Sequence, residues 1–253
     1  MTEPDPRTVL ITGSAGAVGR ACAETFLQQG WRVMLTDLDP PSAALAGRPD
    51  AAFAAADVTD RKAVDAAYAA AVARFGRIDA AVLAAGVEGP VGPVEGISEA
   101  DIDRVLAVNL KGCLFWMQAC LRDMKPRGSG AIVALSSISG VVGSASVGAY
   151  TISKHAVIGL VRAAALEAGR DGVRVNAICP GPIDSDMMRR LDKALSARDP
   201  LRAGGQADSS KGLPMQRYVT AAEVAGMAAF LCGGAAAGCN GGTYMVDGGF
   251  TAR

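Results

Sequence analysis

Tyr150 and Lys154 stand four positions apart in the run Tyr150-Thr151-Ile152-Ser153-Lys154, which opens a segment of helical pattern. That spacing stacks the phenol and the ammonium on one helix face. A phenol titrates at about pH 10 and is a poor base near neutrality. An ammonium about 4 Å away, in an effective dielectric near 20, is worth about 4 kcal/mol to the phenolate. At about 1.36 kcal/mol per pH unit, with desolvation opposing, the pairing predicts a phenol drawn down toward neutrality, where a proton-transfer group is useful. Taken alone, the same spacing also describes a lysine whose stem snorkels along a helix surface. Three further features weigh against that plain reading. Ser136 and Ser137 follow the apolar run 131–135, and Pro180-Gly181-Pro182 follows the run 173–178. Asn109 interrupts an apolar helix face of Ile102, Val105, Leu106, Leu110 and Phe115, where a buried amide must find partners.

A second constellation lies near the start of the chain. The apolar run Thr8–Thr12 leads into Gly13-Ser14-Ala15-Gly16-Ala17-Val18-Gly19 and then into a helical pattern. Glycines let the backbone turn tightly, and a helix N-terminus offers N–H groups and positive dipole to a pyrophosphate. Asp37 follows 18 residues after Gly19, at the end of the next apolar run. A carboxylate there accepts hydrogen bonds from a ribose 2′-OH and repels a 2′-phosphate. Leu38, Ser14 and Ala15 supply no cation to neutralise that phosphate, so NAD is expected over NADP. Asp57 and Val58 are candidates for the adenine edge, although a carboxylate beside Thr59 and Asp60 also suits a helix N-terminus.

Positioning these groups requires strands that end at one edge. Short apolar runs at 8–12, 32–36, 51–55, 80–84, 131–135, 173–178 and 243–246 alternate with helical segments at about 17–29, 60–75, 101–124, 149–169 and 221–232. The run 51–55 is alanine-rich, and alanine favours helix; the alternation is the reason to read it as a strand. Continuous apolar strands between amphipathic helices predict an α/β fold, a doubly wound parallel sheet of about seven strands with helices on both faces. A single Rossmann-like domain over 1–253 is expected. The irregular stretch 185–218 reads as a flap of about 185–217 over a substrate, with Met187, Met188 and Leu191 as an apolar lid face or as core packing. Its seven Lys/Arg against four Asp read as solvated surface.

Composition removes several classes of function. Twenty-five basic residues balance 25 acidic ones, which lacks the basic footprint of a nucleic-acid binder. The stretch between Arg127 and Lys154 carries no charge, but its seven serines, one threonine and five glycines make it unsuitable as a membrane span. Six cysteines form no CxxC pair, and there is one histidine, so neither disulfides nor a metal site is expected. The opening Met-Thr-Glu-Pro-Asp-Pro has neither a basic nor an apolar leader region, and a cytoplasmic location is the expectation. His155 follows Lys154 but points about 100° away around the helix, off the proposed face.

Over nearly its full length the chain resembles a short-chain dehydrogenase/reductase of the roughly 250-residue kind. The matching motifs are the glycine turn at 12–19, Asp57-Val58, Asn109, Ser137, Tyr150xxxLys154 and Pro180-Gly181. The resemblance implies that Tyr150 is a general acid/base and that Ser137, 13 residues before it, orients a carbonyl or hydroxyl. It implies that Lys154 holds a nicotinamide ribose and that Asn109 anchors a water in a proton relay. Cofactor contacts are implied for Gly13, Ala15, Gly16, Ala17, Val18, Gly19, Asp37, Leu38, Asp57, Val58, Ala84, Ala85, Gly86, Tyr150, Lys154, Pro180, Gly181, Ile183 and Ser185. Two motifs depart from the family: Ala17 replaces a usual glycine, and Leu83-Ala84-Ala85-Gly86 stands where the family reads NNAG. The expected activity is NAD-dependent interconversion of a small-molecule secondary alcohol and a ketone, by a homodimer or homotetramer. Two rival readings are a 3-oxoacyl-thioester reductase and an NAD-binding sensor or scaffold without turnover. For the former, Lys125 and Arg127 supply basic surface, while Asp171 sits where a carrier-protein reductase favours a cation.

Overall fold

In the strand Thr8–Thr12 all five residues are buried, and their side chains divide between the two faces of a sheet: Leu10 enters one core, Val9 and Ile11 the other. Burial on both faces is what makes parallel strands read as continuous apolar runs. The computed structural model describes residues 6–43, 45, 47–198 and 210–252. Its strands are β1 (Thr8–Thr12), β2 (Arg32–Asp37), β3 (Ala51–Ala55), β4 (Ala80–Leu83), β5 (Gly130–Leu135), β6 (Val173–Pro180) and β7 (Thr243–Val246). They form one sheet in the order β3-β2-β1-β4-β5-β6-β7, with every neighbouring pair parallel. The alanine-rich β3 pairs with β2 along its whole length at the sheet edge; partner strand geometry outweighs alanine's helical preference there.

The chain winds outward from β1 through β2 to β3, then returns to β4 and winds the other way. This reversal opens a crevice beyond the carboxyl ends of β1 and β4, the general location of ligands in open α/β sheets. Helices α1 (Ala17–Gln28) and, near the C-terminus, Ala221–Cys232 cover one face, burying Cys22, Phe26, Val224 and Leu231. On the other face lie α2 (Arg61–Phe75) and two further helices, Cys113–Arg127 and Gly148–Ala168, around Trp116, Met117, Val157 and Val161. Among the described residues no helix is long and apolar enough to cross a membrane, and all six cysteines are free.

Two elements differ from the sequence reading. The helix expected over 101–124 is three pieces: α3 (Glu99–Leu106), a π turn (Ala107–Gly112) and α4 (Cys113–Arg127). Such i→i+5 turns cluster at functional sites, and this one carries Asn109. After α5 (Gly148–Ala168), the stretch read as an irregular flap contains a further helix, α6 (Asp186–Ser196), before α7 (Ala221–Cys232). Ser185 caps α6 by accepting from the Met188 N–H at 3.2 Å. Its charges hid it: Arg189 pairs with Asp184 and Asp186 on the outer side, while Met187, Met188 and Leu191 are half-buried on the inner side. Residues 199–209 of the expected flap lie outside the described residues.

Candidate active site

The turn after β1 shows why its glycines stand where they do. Gly13 adopts φ +66°, and a Cβ there would lie 2.7 Å from the backbone of Ala85, beyond β4. Gly19 packs on the turn itself, where a Cβ would run into the Gly13 carbonyl and lie 2.7 Å from Ser14 Cα. Gly16 begins α1 with no side-chain cap, and α1 has no acidic residue in its first turn. Ala17 simply starts that helix, half-buried, with Val18 beside it. Ser14 Oγ is buried in the turn and without a partner among the described residues. An uncapped helix start, neutral and glycine-lined, fits the pyrophosphate of a dinucleotide.

Asp37 ends β2 and reaches into this turn: its carboxylate accepts from the Ala15 N–H at 2.8 Å and the Leu38 N–H at 2.7 Å. A carboxylate has about four lone-pair sites, so acceptor capacity remains for ribose hydroxyls. Leu38 is 68% exposed beside it. Asp57 accepts from both the N–H and the hydroxyl of Thr59, at 2.8 and 2.7 Å. It closes the turn ahead of α2, whose N-cap is Asp60 and not Asp57. Val58 is pinned against the π turn, where a Cβ on Gly112 would come 2.7 Å from its side chain. Where the NNAG amides are absent, the Thr12 hydroxyl accepts from the main-chain N–H of Ala84 at 3.1 Å and of Ala85 at 3.2 Å. Gly86 then lets backbone pass close to Asn109 and Lys154, at 3.3 Å and 3.5 Å from the position of a Cβ.

Ser137, Tyr150, Lys154 and Asn109 converge beside that crevice from three elements. Ser137 follows β5 and accepts from the Ser139 N–H at 3.1 Å, and its side chain lies beside the Tyr150 phenol, where it favours the phenolate. Lys154 Nζ lies 5.5 Å from the centroid of the Tyr150 ring and donates to the Leu135 carbonyl at 2.7 Å. The Asn109 amide is fully engaged: it accepts from Val87 N–H at 2.8 Å and donates to Val87 O and Ser153 Oγ, both at 2.9 Å. Ser153 in turn donates to the Tyr150 carbonyl at 2.7 Å. Asn109 therefore ties the loop after β4 to the first turn of α5, and its amide has no spare proton for a water. His155 lies on the exposed side of α5, with Nδ1 3.0 Å from Thr151 O.

Spacing correctly put the phenol and ammonium on one face, but the phenol is not drawn down. Burial pushes Tyr150 up to about 12, against the neighbouring Ser137 side chain and with Glu88 and Cys179 adding to the rise. Burial likewise brings Lys154 down to about 8, with Cys113 and Cys179 opposing. The ammonium spends its bond on a backbone carbonyl, and desolvation of the phenolate outweighs its attraction. Glu88 is a site residue with no sequence signal. Burial pushes its carboxyl up, but the Arg190 hydrogen bond at 2.8 Å and the charges of Arg190 and Arg104 outweigh this and hold it below its ordinary value. A permanent negative charge thus faces Tyr150. Removing it favours the phenolate, so Glu88→Gln is expected to move the rising limb of any Tyr150-dependent reaction to lower pH by a fraction of a pH unit. A pH–rate profile unchanged in the variant contradicts this.

Pro180 and Gly181 close the site from β6. Gly181 N–H donates to Val246 O at 2.9 Å, and a Cβ at 181 would lie 2.9 Å from the Asp247 backbone. Ile183 forms a single parallel bridge with Val219. From there α6 stands over the loop after β4, fixed by the Arg190–Glu88 pair, by Arg198 donating to Val91 O at 2.8 Å, and by Tyr218 donating to Asp192 at 3.0 Å. The crevice therefore offers a pyrophosphate turn at one end, a carboxylate for ribose beside it, and an ammonium and phenol at the other end. That donor set fits a nicotinamide dinucleotide.

A family model described as Enoyl-(Acyl carrier protein) reductase matches residues 13–251. The chain is 36% identical over 254 residues to levodione reductase of Leifsonia aquatica, covering 97% of this chain and 94% of that protein. Sorbitol dehydrogenase of Cereibacter sphaeroides is 36% identical over 250 residues, with 97% of each covered. Among solved structures, levodione reductase superposes with a TM-score of 0.91 at 35% identity over 98% of both chains. NAD+-bound xylitol dehydrogenase gives a TM-score of 0.89 at 30% identity over 96% of this chain and 98% of that one. NADP-bound ElxO gives 0.87 at 29% identity over 98% and 100%.

Proposed function

Because the chain belongs to the short-chain dehydrogenase/reductase family, we propose that it interconverts a secondary alcohol and a ketone with NAD as hydride carrier and Tyr150 as general acid/base. A nicotinamide-dependent oxidoreductase acting on CH–OH groups is the class to which its relatives' names point. The observation that carries the reading is the half-buried Tyr150, set beside the Ser137 side chain and with Lys154 Nζ 5.5 Å from its ring centroid at the crevice. A bound nicotinamide supplies hydride transfer at its C4. Ser137 donates to the substrate oxygen and orients it; Tyr150 gives up its proton to the nascent alkoxide in reduction, or takes one from the alcohol in oxidation. Lys154 holds the nicotinamide ribose and favours the phenolate, and Asn109 fixes the turn that carries Tyr150.

Asp37 supports NAD over NADP, since its charge opposes a 2′-phosphate and no basic side chain stands at Ser14, Ala15 or Leu38. Gly13 to Gly19 hold the pyrophosphate, Leu38, Asp57, Val58 and Ala84 to Gly86 the adenosine half, and Pro180, Gly181, Ile183 and Ser185 the nicotinamide end. The carrier-protein alternative loses its basic surface: Lys125 pairs with Asp171 at 3.0 Å, and Arg127 is spent on Ile78 O and Asp123. The test is NAD reduction followed by absorbance over a panel of secondary alcohols, in the wild type and in Tyr150→Phe. Turnover in the first and its loss in the second support the reading; wild-type turnover of acyl thioesters alone overturns the substrate class.

The outer face of α5 leaves Ile152 51% and Leu166 83% exposed. A second copy of the chain packed on this helix, in a homodimer or homotetramer, accounts for that apolar surface. Light scattering is expected to give a multiple of the 25.7 kDa chain mass, and Leu166→Glu to lower it; a monomeric wild type refutes the assembly.

A further inference from the structure

Two consecutive residues at the end of β5 hold Lys154 at two points. The Leu135 carbonyl accepts its ammonium at 2.7 Å, and the Ser136 hydroxyl donates to its main-chain carbonyl at 2.9 Å. Both residues, Ser136 and Lys154, are 4% exposed. Successive residues of an extended chain point to opposite sides, so Ser137 faces the phenol while Ser136 faces α5. The approach is close enough to require a glycine opposite. A Cβ on Gly140 would run into Ser136 Oγ and lie 2.8 Å from the Lys154 carbonyl. Within α5 that carbonyl already accepts from the helical ladder, so the Ser136 bond is an addition to the helix and not a repair of it. The same first turns of α5 are also held by the chain from Asn109 through Ser153 to the Tyr150 carbonyl.

We propose that Ser136 is a positioning residue for this reaction: its hydroxyl locks the turn of α5 that carries Lys154 against the end of β5, keeping the ammonium beside Tyr150. The proposal rests on the roles assigned above to Tyr150 and Lys154. The titratable groups facing Lys154 are Cys113 from the junction of the π turn with α4, Cys179 from β6, and Tyr150 from its own helix. Those facing Tyr150 are Glu88 from the loop after β4 and Cys179 from β6, with the Ser137 hydroxyl. Cys179 also lies beside Ser136, so side chains of β5 and β6 meet α5 in the layer beneath the site.

Ser136→Ala removes the donor and leaves every backbone partner in place. In the full chain it is expected to lower kcat for alcohol oxidation about tenfold, with KM for the alcohol little changed, as befits loss of an interaction felt mainly in the transition state. With the ammonium less firmly held, the phenolate loses support, and the rising limb of kcat moves to higher pH. A second readout needs no cofactor and no turnover. Followed by NMR of its ε-methylene, assigned against Lys154→Met, the Lys154 titration moves upward from about 8 as water reaches the loosened ammonium. Ser136→Cys fills the same space with a weak donor. It should stay impaired, whereas a role in packing alone would let it recover. Wild-type kcat, pH limb and Lys154 titration in Ser136→Ala, or full recovery in Ser136→Cys, overturn the proposal. Should the wild type oxidise no secondary alcohol, the functional reading fails, and the Lys154 titration still decides this one.

Discussion

Tyr150→Phe is expected to fold, to bind NAD as the wild type does, and to lose about 10²–10⁴-fold in kcat, the range of a missing general acid/base. The substitution deletes one oxygen from a side chain whose ring packs beside Lys154 Nζ, 5.5 Å from the centroid, and that ring remains. Ser137 loses its neighbouring phenol oxygen but keeps the Ser139 N–H donated to it at 3.1 Å. The loss therefore falls on proton transfer and not on cofactor binding. Steady-state rates in both directions, with Kd for NAD by protein fluorescence, separate the two. A variant retaining a tenth of the wild-type kcat would remove Tyr150 from the chemistry. The high resting value of the phenol, about 12, adds a directional consequence. Before cofactor binds, Tyr150 is a proton donor at every physiological pH, as ketone reduction requires. In oxidation it must first be made a base, so the wild-type oxidation rate should climb with pH across the neutral range while reduction does not.

The residues that carry this chemistry were legible because their spacing is local. Four positions separate Tyr150 from Lys154, and a helix turns that number into one face. Glycines placed directly after β1 read as a phosphate turn, since only such residues allow the observed approach to Ala85. What spacing did not reveal was where a side chain spends its hydrogen bond. Lys154 was expected to act on the phenol, yet its ammonium is bonded to Leu135 O, 19 residues away in sequence. Glu88 reaches Tyr150 from the loop after β4 and is itself held by Arg190, 102 residues further on; no local pattern announces such a contact. Ser136 and Ser153 look like ordinary polar neighbours of Ser137 and Lys154, and only the structure shows that the Ser136 hydroxyl bonds the Lys154 carbonyl while Ser153 joins Asn109 to the Tyr150 carbonyl. The helix α6 was read as irregular because its charged residues interleave with its apolar ones, and its half-buried methionines gave too narrow a stripe to read.

Cofactor choice carries the second large expected effect. Asp37→Ala should lower the NAD:NADP ratio of kcat/KM by about 10² or more. Hydrogen bonds to charged groups contribute about 1.5–3 kcal/mol, so losing the carboxylate from the ribose weakens NAD by about 10–10²-fold. Removing its charge at the same time relieves repulsion of a 2′-phosphate, which carries about −1.5 to −2 charges near neutrality; even about 1.4 kcal/mol of relief is worth another factor of ten. Asp37 has a second duty that would confuse a single variant, because its carboxylate also accepts from the Ala15 N–H at 2.8 Å. Loosening the phosphate turn weakens both cofactors equally and leaves their ratio alone. Asp37→Asn separates the two effects, since it keeps an acceptor for Ala15 while discarding the charge. The electrostatic part of the change should survive in Asp37→Asn, with NADP improved and NAD weakened less than in Asp37→Ala. Adding Leu38→Arg to Asp37→Ala places a cation beside the vacated position and should carry the preference over to NADP. A wild type that already favours NADP, or a ratio unmoved in both single variants, would mean that Asp37 serves the turn and not the ribose.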